Sequence, residues 1–394
     1  MLQDRSSDAV SPARPEWLPL AALFTSIFAV CISFGGLTPL ISLSLEGRGV
    51  DAAVIGLVVA AQPLGTLIVA PLVPRLLRRL GTADSILVSG LVSIVTIFLL
   101  PVLEGVPAWL ALRLVAGFAA AAPWIVTETW INAVASSGGR GRLVALYGSV
   151  MALGFVVGPL LLTALGSGGA LPFVAFALLY AAALLPIFLV RGRAPRLEVA
   201  RKARYAGIFL AAPAIFAAAI LAGVVDIAFF SFLPIWGIRN GLEESFTVTL
   251  LTVFVAGNIV LLYPLGWLAD KLGYRVAMVL CGLFCLVAPG LASQCLETPL
   301  LLAATLFLWG GAAWGIYSIA LAALGLRFRG ELLAAANALF VIAYEVANIA
   351  GPAAAGAAVD LWPQHGLMAL MAAVAALFVL LVASRLGRPQ ALEG

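Results

Sequence analysis

The chain has 394 residues, of which 63% are hydrophobic and 10% are charged, and it carries a formal net charge of +4. With a mean hydropathy of +1.14, this composition leaves few residues for a soluble domain and excludes an ordinary water-soluble globular protein. The positive charge requires no nucleic-acid partner, because basic loops on one side of a membrane produce the same excess.

Twelve apolar segments, each long enough to cross a bilayer, follow one another along the chain. A membrane-spanning helix needs about 20 mostly apolar residues, whereas a strand of a transmembrane barrel shows about ten residues of alternating polarity. Because the segments are long, continuously apolar and rich in Ala and Leu, we predict an all-α membrane protein with twelve transmembrane helices. The predicted helices cover residues 17–44, 52–74, 83–103, 107–135, 142–166, 170–190, 206–238, 245–268, 275–296, 298–324, 331–359 and 364–385.

The distribution of Lys and Arg predicts the orientation, because basic loops near spanning helices stay in the cytoplasm. With both termini cytoplasmic, 19 of the 22 basic residues lie on that side; only Arg48 and Arg239 lie outside, and Arg113 falls within helix 4. Residues 1–16 are polar and precede a first helix too long for a signal peptide, so we expect that helix to remain as an anchor. We therefore expect a multi-pass protein of the bacterial plasma membrane (inner membrane).

A basic segment near the middle divides the chain into two sets of six predicted helices. Gly158-Pro159 in helix 5 recurs as Gly351-Pro352 in helix 11, which indicates an internal repeat. We predict two pseudo-symmetric six-helix bundles. Their expected limits are 1–190 for the N-terminal bundle, 191–205 for the cytoplasmic basic linker and 206–394 for the C-terminal bundle.

Three carboxylic acids lie inside predicted helices: Glu128 in helix 4, Asp226 in helix 7 and Glu345 in helix 11. A charged side chain at the centre of a spanning helix costs about 2.5–3.5 kcal/mol on insertion scales, so such residues normally face a cavity or a partner. Each acid is a candidate for proton coupling, because an acid that gains a proton from one side and releases it to the other couples transport to a gradient. The alternative is a neutral acid that hydrogen-bonds to a neighbouring helix.

Further polar and aromatic residues are candidates for a substrate cavity. Arg113 and Glu128 are 15 residues apart, about 22 Å along a helix, so they cannot pair with each other. We expect Arg113 to tune a carboxylate or bind an anionic substrate; the alternative is a side chain that reaches to the outer interface. The other cavity candidates, for which ordinary helix packing is the alternative, are Trp124, Phe229, Phe230, Trp314, Asn337, Tyr344 and Asn348.

Enzymatic motifs are missing from the sequence. The only histidine is His365, and neither H-E-x-x-H nor a phosphate-binding loop is present, so we predict no catalytic residue, no metal site and no cofactor. The four cysteines lie within or near the ends of predicted helices, where packed free thiols are expected. We therefore expect neither an enzyme nor an ATP-driven pump.

Three short motifs resemble those of the major facilitator superfamily. Residues 266–275, GWLADKLGYR, are similar to its cytoplasmic loop motif G-x-L-a-D-r-x-G-r-[RK]; Arg113 to Gly117 is similar to its R-x-x-x-G motif. A third stretch, GFVVGP at residues 154–159, is similar to the G-x-x-x-G-P motif found mainly in its antiporters. The resemblance covers nearly the whole chain and extends, through residues 113–159, to the poorly characterised bacterial YcaD-like branch. One departure is that residues 71–81, between helices 2 and 3, contain no aspartate.

The resemblance implies roles for two groups of residues. The loop motif implies a cytoplasmic gate in which the aspartate breaks and remakes contacts, whereas a solvated surface ion pair is the alternative; its residues are Gly266, Asp270, Lys271, Gly273 and Arg275. The helix 5 motif implies tight helix packing or a hinge at Gly154, Gly158 and Pro159.

These observations together predict a secondary active transporter that works by alternating access between two bundles. Proton-coupled export of a small amphipathic or apolar compound, by antiport, is our first interpretation; proton-coupled uptake of a small metabolite is the second. A membrane scaffold or sensor that transports nothing is the alternative from another class. The expected partners are the lipid bilayer, a small-molecule substrate and protons, with no nucleic acid, and we expect a monomer.

Overall fold

The computed structural model describes residues 17–134, 140–193 and 207–384, so most of the predicted linker lies outside the described residues. It confirms the prediction of an all-α membrane protein, because twelve of the described helices are long and apolar enough to cross a membrane. They are α1 (Trp17–Glu46), α2 (Ala52–Leu80), α3 (Thr82–Leu99), α4 (Val106–Val134), α5 (Arg140–Leu165), α6 (Leu171–Leu189), α7 (Pro213–Arg239), α8 (Glu244–Leu272), α9 (Tyr274–Gln294), α10 (Pro299–Arg327), α11 (Gly330–Leu361) and α12 (Gly366–Ala383).

The start of α7 and the end of α2 differ from their predicted positions. Helix α7 begins at Pro213 rather than at residue 206, because a residue before proline is disfavoured in the helical region and Ala212 has φ −135° and ψ 53°. A one-turn helix, Ile208–Ala211, precedes this break. Helix α2 continues past residue 74 through a 3-10 turn at Ala70–Leu72.

The predicted cytoplasmic loop at residues 266–275 is almost entirely helical, which corrects the sequence interpretation. Helix α8 continues to Leu272 and α9 starts at Tyr274. Only Gly273 separates them, with φ +84°, a conformation that glycine adopts without steric cost. The motif therefore forms a tight turn between two long helices, and the motif's second glycine supplies the backbone geometry that the turn requires.

The two halves repeat the same packing pattern. In the first half α1 packs on α5, α2 packs on α4, and α3 packs on α4 and α6. In the second half α7 packs on α11, α8 packs on α10, and α9 packs on α10 and α12. Since each pair recurs with an offset of six helices, the fold consists of two pseudo-symmetric six-helix bundles.

Helices α2 and α11 form the closest contact between the halves. A Cβ atom on Gly56 would lie 2.2 Å from the carbonyl oxygen of Pro352, and one on Gly356 would lie 2.1 Å from that of Ala52. These glycines therefore let the two backbones touch. Helix α5 also packs on α8, where Thr252 Oγ1 donates a hydrogen bond to the Val156 carbonyl oxygen at 3.1 Å.

Several hydrogen bonds and an ion pair among the described residues join the halves toward one face of the protein. Arg239 Nε and Nη2 bind Glu46 Oε1 and Oε2 at 2.8 and 3.0 Å. The Asp360 carboxylate of α11 accepts hydrogen bonds from the backbone nitrogens of Ala52 and Ala53, at 2.9 and 2.7 Å. We call this side, which carries the loops at 47–51, 240–243 and 362–365, the closed face.

Side chains of α8 near the opposite face are exposed. Tyr263 is 83% exposed and Trp267 is 52% exposed, whereas Leu251 and Phe254, nearer the closed face on the same helix, are fully buried. The burial of α8 therefore decreases with distance from the closed face.

Candidate transport site

Asp226 occupies the middle of the membrane-spanning part of the C-terminal half. It is the central residue of the 27-residue helix α7, and its carboxylate accepts a hydrogen bond from the Tyr344 hydroxyl of α11. Gly223 makes this pairing possible, because a Cβ atom there would lie 2.4 Å from the Tyr344 carbonyl oxygen. The two helices are thus in backbone contact one turn away from the acid.

Glu345 lies beside this pair, near the middle of the 32-residue helix α11. Its side chain is partly buried, it directly follows Tyr344 in α11, and Asn348 lies one turn further on the same helix. Asn348 is 3% exposed, and its Oδ1 atom has no hydrogen-bond partner among the described residues. Two acids, a tyrosine and an amide therefore meet at mid-membrane depth, where ionisable residues normally mark an ion or substrate pathway.

Aromatic rings surround this group on one side. The Tyr344 ring packs edge-to-face on Tyr317 at a centroid distance of 5.4 Å, and Tyr317 packs in the same way on Trp314 at 5.8 Å. Trp314 is therefore connected to the acidic group indirectly, through its ring contact with Tyr317. Asn337 is exposed and lies eight residues before Glu345, about 12 Å along the helix. Of the polar residues predicted on this face of helix 11, Asn337 therefore lies apart from Tyr344, Glu345 and Asn348.

Phe229 and Phe230, which the sequence predicts at the cavity, occupy different environments. Phe229 is fully buried against Phe254 and Trp309, with ring centroids 4.5 and 4.9 Å away. It is a core residue of the C-terminal half rather than a cavity residue. Phe230 packs edge-to-face on Phe155 of α5 at 6.2 Å, so it contributes to the contact between the halves.

Arg113 faces a cavity inside the N-terminal half, enclosed by α1, α2, α3, α4 and α6. About 510 Å³ of this space is free of protein atoms, part of it open to solvent. Arg113 is 6% exposed, and its Nε atom has no hydrogen-bond partner among the described residues. The lining residues are Val30, Ser33, Phe34, Leu37, Thr38, Gln62, Ser93, Thr96, Ile97, Arg113, Ala116, Ala120, Pro123, Trp124 and Tyr180.

Glu128 is the third predicted coupling acid. It lies in α4, six residues before the end of the helix at Val134, but its side chain lies outside the described residues.

The helix 5 motif lies against α1 within the N-terminal half. A Cβ atom on Gly154 would lie 2.6 Å from the Cβ of Cys31, and one on Gly158 would lie 2.5 Å from the Ile32 carbonyl oxygen. Pro159 follows within the same helix and is buried. The motif brings α5 into close backbone contact with α1, which lines the Arg113 cavity.

The predicted cytoplasmic gate lies at the end of the protein opposite to the closed face. Asp270 is exposed and makes no hydrogen bond or ion pair with another described residue. The Lys271 ammonium lies 4.0 Å from the centroid of the Trp267 ring, and the Arg275 guanidinium lies 5.9 Å from that of Tyr274. Gly266 is exposed on α8, and Gly273 forms the turn between α8 and α9.

Sequence reasoning missed four residues that the structure connects to the site or to its gating. Glu46 and Asp360 hold the halves together, while Gln62 and Tyr180 line the Arg113 cavity. A signal for Gln62 was present, because it is a polar residue inside predicted helix 2. Asp360 gave no such signal, since an acid near a helix end is ordinary.

The fold and the buried polar groups define a multi-pass secondary transporter. The family model of the Major Facilitator Superfamily matches residues 23–251 and 241–393, so the chain belongs to that superfamily. It is 27% identical over 333 residues to the uncharacterized MFS-type transporter YfkF of Bacillus subtilis (82% of this chain, 84% of the relative). It is 25% identical over 368 residues to YcaD of Escherichia fergusonii (92% and 95%), as expected for the YcaD-like branch.

A solved structure shows the same fold at low sequence identity. The crystal structure of the D323A mutant of the nucleoside transporter NupG superposes with a TM-score of 0.77 at 14% identity. The match covers 94% of this chain and 100% of that one. This likeness supports the arrangement of the twelve helices and carries no information on substrate.

Proposed function

We propose that this protein is a proton-coupled antiporter that exports a small amphipathic or apolar compound across the bacterial inner membrane, with both termini in the cytoplasm. The observation that carries the proposal is the Asp226–Tyr344 hydrogen bond at the centre of α7 and α11, with Glu345 next to it. The protein acts as a monomer in this account, since each chain contains both bundles and its own acidic group.

Proton binding at Asp226 changes the contact between α7 and α11. An ionised carboxylate only accepts hydrogen bonds, whereas a protonated carboxyl group also donates one. The Tyr344 hydroxyl can still donate to the neutral group, but this hydrogen bond weakens because its acceptor has lost the charge, and the new O–H needs an acceptor of its own. Because the two helices touch at Gly223, a change in this hydrogen bond is transmitted directly to the packing of α7 on α11.

The conformation of the structure fits the first half of an export cycle. Arg48 and Arg239, the two basic residues expected outside, lie on the closed face, so this face is periplasmic and the opposite end opens to the cytoplasm. In the alternate state the periplasmic contacts break and Asp270 binds across the cytoplasmic end. The support for export is the antiporter-like motif in α5 and the apolar part of the cavity wall.

Proton-coupled uptake of a small metabolite is the second candidate. The observation that favours it is the polar part of the Arg113 cavity, where Gln62, Ser93 and Tyr180 join the arginine. A scaffold or sensor differs from both candidates, because neutralising the buried acids would then leave function intact.

Purified protein in proteoliposomes tests the coupling. Compounds are first selected by thermal shift at two pH values, since a ligand that binds the folded state raises the unfolding temperature. Flux of a selected compound is then measured with and without an imposed pH gradient. Asp226→Asn is expected to abolish gradient-driven flux and Tyr344→Phe to weaken it, whereas Asp51→Asn and Tyr263→Phe, at exposed positions, leave it unchanged.

One set of results would contradict the proposal. If flux remained fully gradient-dependent in Asp226→Asn, Glu345→Gln and Glu128→Gln, none of the three acids would carry the coupling proton. The direction of coupling is read from the same vesicles, because antiport drives the compound toward the side with more protons, whereas proton-coupled uptake by symport drives it toward the side with fewer.

A further inference from the structure

The Arg113 cavity has a positive charge without a matching negative one. None of its fifteen lining residues is Asp or Glu, and no ion pair joins Arg113 to another described residue. Glu128, on the same helix, is 15 residues away and cannot reach it, since that distance is about 22 Å. A guanidinium with so little solvent contact needs a counter-charge, because a buried charge is costly when it is unpaired.

Three hydroxyl groups of the lining already donate to backbone carbonyl groups of their own helices. Thr38 donates to the Phe34 carbonyl at 3.0 Å, Ser93 to the Ser89 carbonyl at 3.1 Å and Thr96 to the Ser93 carbonyl at 2.8 Å. Other side chains of the lining that carry donors include Arg113, the Gln62 amide, the Trp124 indole and the Tyr180 hydroxyl. Gln62 is 9% exposed, and its Oε1 atom is without a partner among the described residues.

Part of the cavity wall is apolar. The apolar residues of the wall include Phe34 and Leu37 of α1, Ile97 of α3, and Pro123 and Trp124 of α4. Arginine presents a planar fork of N–H groups that matches the two oxygens of a carboxylate. The cavity thus combines one site for an anionic head with a surface for a hydrophobic body.

From this arrangement we propose that the cavity binds a small amphipathic monoanion, with its carboxylate on Arg113 and its apolar body against Phe34 and Trp124. The inference rests on the proposed function, because it assigns the cavity to the transported compound. It narrows the substrate from amphipathic or apolar compounds to organic anions with one negative charge.

Matched pairs of acids and amides test the proposal without any transport assay. The probes are benzoate and benzamide, 2-naphthoate and 2-naphthamide, and 4-phenylbutyrate and 4-phenylbutyramide, added to the purified full-length protein in nanodiscs of neutral lipid. Thermal unfolding at a series of concentrations gives an apparent Kd for each compound. At least one acid is expected to bind about tenfold or more tightly than its amide, because the acid forms charged hydrogen bonds with the guanidinium.

Variants of Arg113 test whether this residue causes the preference for the acid over the amide. Arg113→Gln is expected to remove the preference for the acid, and Arg113→Lys to keep part of it. Arg75→Gln, which removes an exposed arginine of α2, should leave it unchanged. If Arg113→Gln does not purify as a folded protein, the ratio of acid affinity to amide affinity in Arg113→Lys is compared with that of the wild type. A smaller ratio supports the inference, and an unchanged ratio contradicts it.

Four results would overturn the inference. The first three are equal binding of amides and acids, no binding of any acid of the panel, and a preference for the acid that persists in Arg113→Gln. The fourth is stabilisation by phosphatidylglycerol but by none of the acids, which would identify a lipid headgroup as the anion. These results are separate from failure of the proton coupling, since gradient-driven flux that survives in Asp226→Asn leaves the acid preference intact.

Discussion

Removing the Asp360 carboxylate should open the closed face of the protein. In the structure this carboxylate of α11 accepts the backbone N–H groups of Ala52 and Ala53, the first two residues of α2 in the other half. Asp360→Ala removes both bonds and a negative charge next to the helix N-terminus. When the halves separate, the two N–H groups return to water, so only the state closed on this face loses stability.

The size of the effect follows from the capping geometry. Loss of an N-terminal cap typically costs about 0.5–2 kcal/mol, and the exposed position of Asp360 favours the lower half of this range. A loss of about 0.5–1 kcal/mol shifts the ratio of closed to open states by a factor of about 2–5. This change is large enough to alter a measured distance distribution.

Double electron–electron resonance between spin labels on the closed face measures the shift. Labels at Glu104→Cys and Glu297→Cys lie in exposed loops of different halves, in a background whose four native cysteines are replaced by alanine. Asp360→Ala should increase the population of long distances. The matched control is Asp51→Asn, which removes a charge at the start of α2 where no side-chain cap is formed. An unchanged distribution in Asp360→Ala, or an equal shift in Asp51→Asn, would refute the reasoning.

Three further predictions use the same protein. Gly56→Ala should also increase the population of long distances, because its Cβ atom would lie 2.2 Å from a backbone oxygen of α11. The control Gly290→Ala, whose Cβ atom would have no heavy atom within 4 Å, should leave the distribution unchanged, and equal distributions in the two variants would contradict the prediction. A double-mutant cycle of Glu46→Gln and Arg239→Gln in the same assay should show a coupling of about 0.5–1 kcal/mol for this half-buried ion pair, and strictly additive effects would exclude it. Exchange of a monoanion for a proton should move two charges per cycle, so a membrane potential of 100 mV should contribute about 4.6 kcal/mol to the driving force of transport. Flux measured at potentials set with valinomycin gives this contribution. A value of about 2.3 kcal/mol would indicate a neutral substrate.

The number and order of the helices could be predicted because crossing a bilayer imposes a length and an apolar composition that few other structures require. The helix ends were less predictable, since they depend on single residues. Ala212 leaves the helical region because it precedes Pro213, and the sequence window counted both as apolar. Gly273 turns the chain within one residue, so a segment that looked like a polar loop is mostly two helices.

The sequence could predict which residues belong to the candidate site but not which of them contact each other. Asp226 and Glu345 are conspicuous in an apolar sequence because their burial is costly. The partner of Asp226 could not be predicted, since Tyr344 reaches it only where Gly223 lets α7 and α11 touch. Phe229 and Phe230 show the same limit: the two are neighbours in sequence, and packing against α8 and α10 or against α5 decides which of them is core.

Proton movement across the membrane measures the proposed role of Asp226 directly. Proteoliposomes containing a pH-sensitive dye report the protons that cross the membrane when a compound selected by thermal shift is added on one side. In the wild type we expect the compound to elicit a proton flux in the opposite direction, and in Asp226→Asn we expect compound binding without this flux. A proton flux of wild-type size in Asp226→Asn, with the Asp51→Asn control also unchanged, would contradict the account.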